Sequence, residues 1–315
     1  MASCHLYLRI CRKEIDLYKP EKPHIIRKNS KNMLKIQEFH DKLTGTVTYV
    51  TSSGGKCAII YPVMNYDQYS GKVSYESADE VIGFVKKEEL ELAWILETHI
   101  HADHMSGCEY IKGKAVAEGF GTSVESCIGE NVTKVVDYWG KAFEFEGEEL
   151  EKAGGFDRLL KDGEKITLGN EGIEVISTPG HTPCCVTYKI GDVAFVGDVI
   201  FAPDIGTARC DFPGGNASQS YASIQKIFAF GDDVKLYTGH DYPNGRDLEF
   251  FSTVKEQKAK NLLAGSGVTE DEFVEARTKK DAGLAAPKLL YPSLQVNIFA
   301  GKIDGKKFLK IPVGN

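Results

Sequence analysis

Four metal-binding side chains fall within six residues in the stretch Thr98-His99-Ile100-His101-Ala102-Asp103-His104. Packing alone does not favour such a cluster. His99 and His101 are two apart, so in an extended segment both imidazoles leave the same face, and Asp103 and His104 follow where the chain must turn. Three imidazoles and a carboxylate so placed can hold one or two transition-metal ions. Taken alone, the stretch also admits a polar loop with chance histidines.

The elements around it decide between these readings. Ala93-Trp94-Ile95-Leu96 is short and apolar, as suits a buried strand that ends at the cluster. The same pattern of an apolar run, then turn formers, then one ligand-type residue recurs three times. Ile173-Glu174-Val175-Ile176-Ser177 passes through Thr178-Pro179-Gly180 to His181, Val193-Ala194-Phe195-Val196 through Gly197 to Asp198, and Val234-Lys235-Leu236-Tyr237 through Thr238-Gly239 to His240. Small or turn-forming residues end each run and aim a coordinating side chain outward. In α/β sheets, sites gather at the carboxyl ends of strands. The candidates are therefore His99, His101, Asp103, His104, His181, Asp198 and His240, which include five of the chain's eight histidines. A lone histidine is more often structural; four strand ends bearing the same residue types point to a metal centre.

Elsewhere, Leu43 to Pro62 reads as a β-hairpin broken at Ser52-Ser53-Gly54-Gly55. Ser77-x-x-Glu80 has the form of a capping box that starts a helix leading to the Trp94 strand. Helices are expected at about 106–118 and at about 131–141, where Val132, Val135, Val136 and Trp139 recur at helical spacing. Phe143 to Leu150 reads as an acidic surface excursion. A helix through Tyr221, Ile224, Ile227 and Phe228 has Asn216 or Ser218 as its cap, and another runs through Phe251, Val254 and Leu262. Thr269-x-x-Glu272 caps a last helix, and Pro287 and Pro292 begin an extended tail.

With 315 residues, 42% hydrophobic and 26% charged, the composition is that of a globular enzyme. The net charge of −7 argues against a general nucleic-acid or membrane-surface binder. No apolar run approaches the roughly 18–20 residues that cross a bilayer. The eight cysteines, at 4, 11, 57, 108, 127, 184, 185 and 210, show no C-x-x-C pairing, which favours a reducing compartment over a disulfide framework or a zinc finger. Adjacent Cys184 and Cys185 read as small core residues. Residues 1–32 are rich in Arg and Lys but carry Glu14, Asp16 and Glu21, so a mitochondrial transit peptide, a tail and an upstream start before Met33 are all open. The expected location is mitochondrial or cytoplasmic. A single domain is preferred, with residues 33–265 as its body and 266–315 as a C-terminal elaboration packed on it.

The order H-x-H-x-D-H, T-P-G-H-T, G-D, G-H-D resembles the metallo-β-lactamase superfamily over roughly residues 36–262. That resemblance implies an α/β fold, an αββα sandwich. Within the superfamily the chain resembles persulfide dioxygenases, also called sulfur dioxygenases. The residues that carry this are Glu97 to His104, Thr178 to Pro183, Gly206-Thr207-Ala208-Arg209-Cys210-Asp211-Phe212 and Gly239-His240-Asp241-Tyr242. Gly245-Arg246-Asp247, Ser293-Leu294-Gln295-Val296-Asn297 and Phe308-Leu309-Lys310-Ile311-Pro312 add to it. Glyoxalase II enzymes, which hydrolyse glutathione thioesters at a two-metal centre, share all seven ligand positions. Ala102, the Arg209-x-Asp211-Phe212 segment and the C-terminal region favour the dioxygenase.

The resemblance implies one Fe(II) per chain held by His99, His181 and Asp198, with glutathione persulfide and O2 meeting on it to give sulfite and glutathione. His101, Asp103, His104 and His240 then orient the ligands and shape the pocket. In the hydrolase alternative Asp198 bridges two metals such as zinc, and those four residues become ligands. A non-catalytic metal-binding protein is the third possibility. Arg209 suits either an ion pair with Asp211 or a glutathione carboxylate. Tyr242 and Arg246 are further substrate-binding candidates, and Lys258 a weaker one. Cys210 lies on the same loop as a bystander or persulfide-reactive thiol. A homodimer is the default assembly.

Overall fold

A computed structural model describes residues 24–25, 34–145 and 155–303. The expectations for residues 1–32, for Met33, for Glu146 to Leu150 and for Phe308 to Pro312 lie outside these, apart from the two-residue strand at His24–Ile25. In chain order the strands of the N-terminal half are β1 (His24–Ile25), β2 (Lys35–Asp41), β3 (Thr46–Ser53), β4 (Lys56–Ile60), β5 (Val63–Asp67), β6 (Lys72–Ser74), β7 (Glu91–Leu96), β8 (Met105–Ser106) and β9 (Glu125–Gly129). The remainder are β10 (Arg158–Leu160), β11 (Lys165–Leu168), β12 (Glu171–Ser177), β13 (Val186–Ile190), β14 (Val193–Gly197), β15 (Lys235–Thr238) and β16 (Phe251–Thr253). The helices are α1 (Glu76–Lys87), α2 (Cys108–Glu118), α3 (Val132–Ala142), α4 (Ala217–Phe228), α5 (Val254–Lys260), α6 (Glu270–Asp281) and α7 (Leu290–Asn297).

Two sheets face one another, a seven-stranded one in the order β1-β2-β3-β4-β7-β9-β10 and a six-stranded one running β11 to β16. Tyr49, Ile60 and Leu96 of the first pack against Val175, Phe195 and Tyr237 of the second. Burying each such side chain stabilises the fold by about 1.5–3 kcal/mol. Helices cover the outer faces. α1 presents Ala78, Val81, Ile82 and Val85 to the first sheet, as its apolar spacing dictates. α4 presents Ile224, Ile227 and Phe228 to the second, beside Phe273 of α6. The result is the αββα sandwich that the superfamily resemblance implies.

Local outcomes follow local chemistry. Asn216 accepts from the Gln219 amide and caps α4, and Thr269 and Glu272 form the expected capping box of α6. The proposed box at Ser77 does not form. α1 begins at Glu76, and Ser77 is used by Asp41 and Asn65, whose side chains hold its hydroxyl and amide. The tail after Pro287 is not extended throughout, because α7 places Pro292 in its first turn, where a missing N–H costs nothing. Phe143 is buried against Trp139 and Tyr291, so the segment expected to be a surface excursion starts inside the core. Phe251 belongs to β16 and Leu262 is exposed, which shortens the helix between them to α5.

β4 runs parallel to β7, and β14 parallel to β15. β12 pairs antiparallel with β13, and β13 with β14, so β12 and β14 also run the same way. The carboxyl ends of β12, β14 and β15 therefore discharge at one edge of their sheet, and β7 brings its own end to meet them. No helix among the described residues is long and apolar enough to cross a membrane.

Candidate metal centre

The four strand ends converge. Among the described residues, His99, His181 and Asp198 offer ligand atoms within 4.8 Å of one another, and Asp103, His104 and His240 form a second such group. Nε2 of His99 and Nε2 of His181 each lie 3.8 Å from Oδ2 of Asp198. Nε2 of His240 lies 3.2 Å from Oδ2 of Asp103 and 3.5 Å from Oδ1 of Asp198, so Asp198 stands between the groups. All seven sequence candidates are thus in one place, with His101 against His99 and His104 at ring separations of 4.3 and 4.4 Å.

Neighbours set which nitrogen each imidazole offers. Nδ1 of His181 is 2.7 Å from the Arg209 carbonyl, which can only accept, so Nδ1 carries the hydrogen and Nε2 keeps its lone pair. Nδ1 of His99 is engaged by Thr98 Oγ1 at 3.1 Å, again leaving Nε2. His101 is reversed: Glu97 Oε2 lies 2.7 Å from its Nε2, so Nδ1 is left. Burial pushes Glu97 up to about 7, against the opposing pull of Ser106 and His104. Burial also drives His99 and His101 well below the ordinary histidine value, assisted by their neighbouring imidazoles, and keeps both rings neutral as a ligand must be. For His240 burial pulls downward, but the Asp198 and Asp103 carboxylates outweigh it and the value is raised.

Nδ1 of His101 and Nε2 of His104 and His240 are buried without a hydrogen-bond partner. Orphaned buried nitrogens are costly unless something accepts their lone pairs. Together with the two three-ligand groups, they show that these residues fit a bound metal. The first group, two imidazoles and one carboxylate, is a set that leaves positions open on the ion.

A residue missed in the sequence is Tyr61. It follows β4, whose carboxyl end shares an edge with that of β7, and it is 1% exposed. Its hydroxyl donates to Oδ1 of Asp198 and its ring centroid is 4.2 Å from that of His101. Burial, then Asp198, holds the phenol well above its usual pKa, so it stays a donor. Tyr61 has φ of +67°, a left-handed conformation that costs a non-glycine residue about 1–3 kcal/mol and is kept where surroundings impose it. The signal was present: Ala58-Ile59-Ile60 followed by Tyr61-Pro62 is one more apolar run ending in a polar side chain, concealed by its assignment to the hairpin.

Two cavities reach the centre. One, of about 280 Å³, is lined by His181, Asp198, Phe201, Arg209, Phe212 and Tyr242. The other, about 680 Å³, opens between the β5–β6 hairpin and residues 285–289 and meets Asp103 and Tyr242. Tyr242 stacks on His240 at 5.6 Å and is 46% exposed. Arg209 forms a two-pronged ion pair with Asp211 at 2.6 and 2.7 Å and donates to the Ala285 carbonyl at 2.7 Å, so its fork braces the loop. Arg246 is not brought to the cavities beside the metal ligands; it holds Asp241 and Asp204. Lys258 pairs with Asp232 at 2.8 Å, away from the centre. Cys210 is buried, and burial pushes its thiol up to about 11, which leaves it a thiol at neutral pH. The six cysteines among the described residues are free and buried, including Cys184 and Cys185.

Known proteins are similar to this chain. "Glyoxylase B2" of Dictyostelium discoideum is 43% identical over 90% of this chain and 98% of its own length. A "probable metallo-hydrolase" of Burkholderia pseudomallei is 41% identical over 89% of this chain and 99% of its own length. The crystal structure of ETHE1 from Myxococcus xanthus superposes with a TM-score of 0.67 at 24% identity, covering 85% of this chain and 99% of that one, a likeness of fold. The family profile described as "Metallo-beta-lactamase superfamily" matches residues 43–240, from just before β3 to the last histidine of the centre. Fold, ligand geometry and sequence agree, and the chain belongs to the metallo-beta-lactamase superfamily.

Proposed function

We propose that this protein is a persulfide dioxygenase holding one Fe(II) on His99, His181 and Asp198 and oxidising glutathione persulfide to sulfite and glutathione. The observation that carries it is the compact two-histidine, one-carboxylate group facing the cavity lined by Phe201, Phe212 and Tyr242. Iron bound there supplies open coordination positions for a sulfur ligand and dioxygen. The reaction balances as persulfide plus O2 plus water giving thiol plus sulfurous acid: the S–S bond breaks, the outer sulfur loses four electrons, and dioxygen takes them up. The chain's own part is positional. Thr98 and the Arg209 carbonyl fix the ring faces of His99 and His181. Phe201 and Phe212 line the approach with apolar rings, and the Tyr242 hydroxyl, protonated at neutral pH as a phenol is, can donate to a sulfur anion.

A second reading, hydrolysis of a glutathione thioester at two metals, is favoured by the Asp103, His104 and His240 group and by the relative named Glyoxylase B2. Oxygen uptake by the iron-loaded protein given glutathione persulfide separates the two. Sulfite formation with one iron per chain supports the dioxygenase; hydrolysis of lactoylglutathione with two metals and no oxygen uptake sinks it.

A further inference from the structure

The two oxygens of Asp198 serve different neighbours. Oδ2 faces Nε2 of His99 and of His181, each at 3.8 Å. Oδ1 accepts the Tyr61 hydroxyl and faces Nε2 of His240 at 3.5 Å. A carboxylate oxygen has two lone-pair directions in its plane, and on Oδ1 the Tyr61 hydroxyl takes one of them. An ion seated on Asp103, His104 and His240 meets Asp198 first at this occupied oxygen.

We propose that Tyr61 limits the centre to one tightly held ion: by donating to Oδ1 it keeps Asp198 a one-oxygen ligand for the His99 and His181 position and removes the oxygen through which a second ion would share the carboxylate. The hydroxyl is not free to step aside. The Tyr61 amide donates to the Leu96 carbonyl at 3.3 Å, and its carbonyl accepts from Thr48 Oγ1 at 2.6 Å. The ring lies between His101 at 4.2 Å and His99, His104 and His240 at 5.7 Å each. Position 239 must stay small, because a Cβ there would come within 2.5 Å of the Tyr61 hydroxyl oxygen and 2.6 Å of Asp198 Oδ1. The left-handed backbone at Tyr61 aims the side chain into this space.

This inference rests on the one-iron reading above and gives it a physical cause. Its test uses no substrate and no oxygen, so failed turnover and a failed metal count are separate results. The full-length protein is stripped of metal, titrated with Co²⁺ or Zn²⁺ and desalted, and metal per chain is measured by mass spectrometry. Wild type is expected to retain one ion and Tyr61→Phe, which keeps the ring and loses the donor, two. Tyr61→Phe combined with His240→Ala should return to one, which locates the added ion. Two retained ions in wild type overturn the proposal, as does one in a Tyr61→Phe protein whose circular dichroism matches wild type. Should that variant not fold, Tyr61→Met removes the donor with a more adaptable side chain, and one ion there also overturns it.

Discussion

Glu97 Oε2 sits 2.7 Å from Nε2 of His101, and both side chains are almost completely buried. The contact engages one ring nitrogen and leaves Nδ1 of His101 without a partner, while the three-ligand group beside it is made by His99, His181 and Asp198. On the one-iron reading proposed above, His101 is a wall of the centre and not a ligand. His99→Ala, His181→Ala and Asp198→Ala are each expected to abolish metal retention on gel filtration. His101→Ala is expected to weaken affinity by about 10–100-fold and still retain metal at saturating concentration. Equal loss in His101→Ala and His99→Ala would place His101 among the ligands.

Arg246 holds Asp241, which is 1% exposed, through contacts of 2.8 and 2.7 Å. Removing the cation leaves a buried carboxylate with the Glu249 amide as a remaining donor, against a cost of roughly 3–5 kcal/mol for breaking a sealed pair. The Arg246 side chain is 21% exposed, so Arg246→Ala is expected to cost about 2–3 kcal/mol in urea unfolding. KM for a persulfide should stay within about twofold. A large rise in KM at unchanged stability would make Arg246 a substrate contact instead.

Arg277 and Asp281 form a buried pair, 1% and 6% exposed, that holds the loop carrying Arg209. Arg277 donates to the Thr207 carbonyl at 2.8 Å and Asp281 accepts from the Cys210 amide at 2.9 Å. Arg277→Ala should therefore cost about 3–5 kcal/mol and loosen His181, whose Nδ1 rests on the Arg209 carbonyl. Denaturant midpoint and metal content are expected to fall together. An unchanged midpoint would remove the loop brace from the account.

Acid sensitivity has an identifiable contribution from two carboxylates outside the set of metal-ligand candidates. Arg209 holds Asp211, and Arg246 holds Asp204, below the ordinary carboxylate value of 3.8. A depressed folded pKa contributes stability above the unfolded value that is lost as pH falls through the folded one. The Tm gap between wild type and Asp211→Asn is expected to be constant from about pH 8 to 5 and to close below about pH 4. A gap that widens on acidification would reverse the sign and refute the assignment.

Much of the centre was legible because its residues obey a local rule. A buried strand must end in turn formers, and a polar side chain at that end can point only into the space where the sheets meet; His99, His181, Asp198 and His240 each show that pattern. Caps are equally local, so Asn216 and Thr269 could be read while Ser77, drawn off by Asp41 and Asn65 from elsewhere in the fold, could not. Arg246 has one partner near in the chain, Asp241, and one, Asp204, 42 positions away that only the folded chain brings to it.

The sequence by itself determined the strands and helices, the seven ligand-type residues and the strand ends that carry them, since alternating and continuous apolar runs dictate burial; the sandwich followed from the resemblance its motifs carry. Tertiary structure alone decided how those seven divide. Oδ2 of Asp198 faces His99 and His181 while Oδ1 faces His240 and accepts the hydroxyl of Tyr61, a residue just past β4 with a left-handed backbone. Pairing between strands distant in the chain is set by the whole core, and no local pattern encodes it.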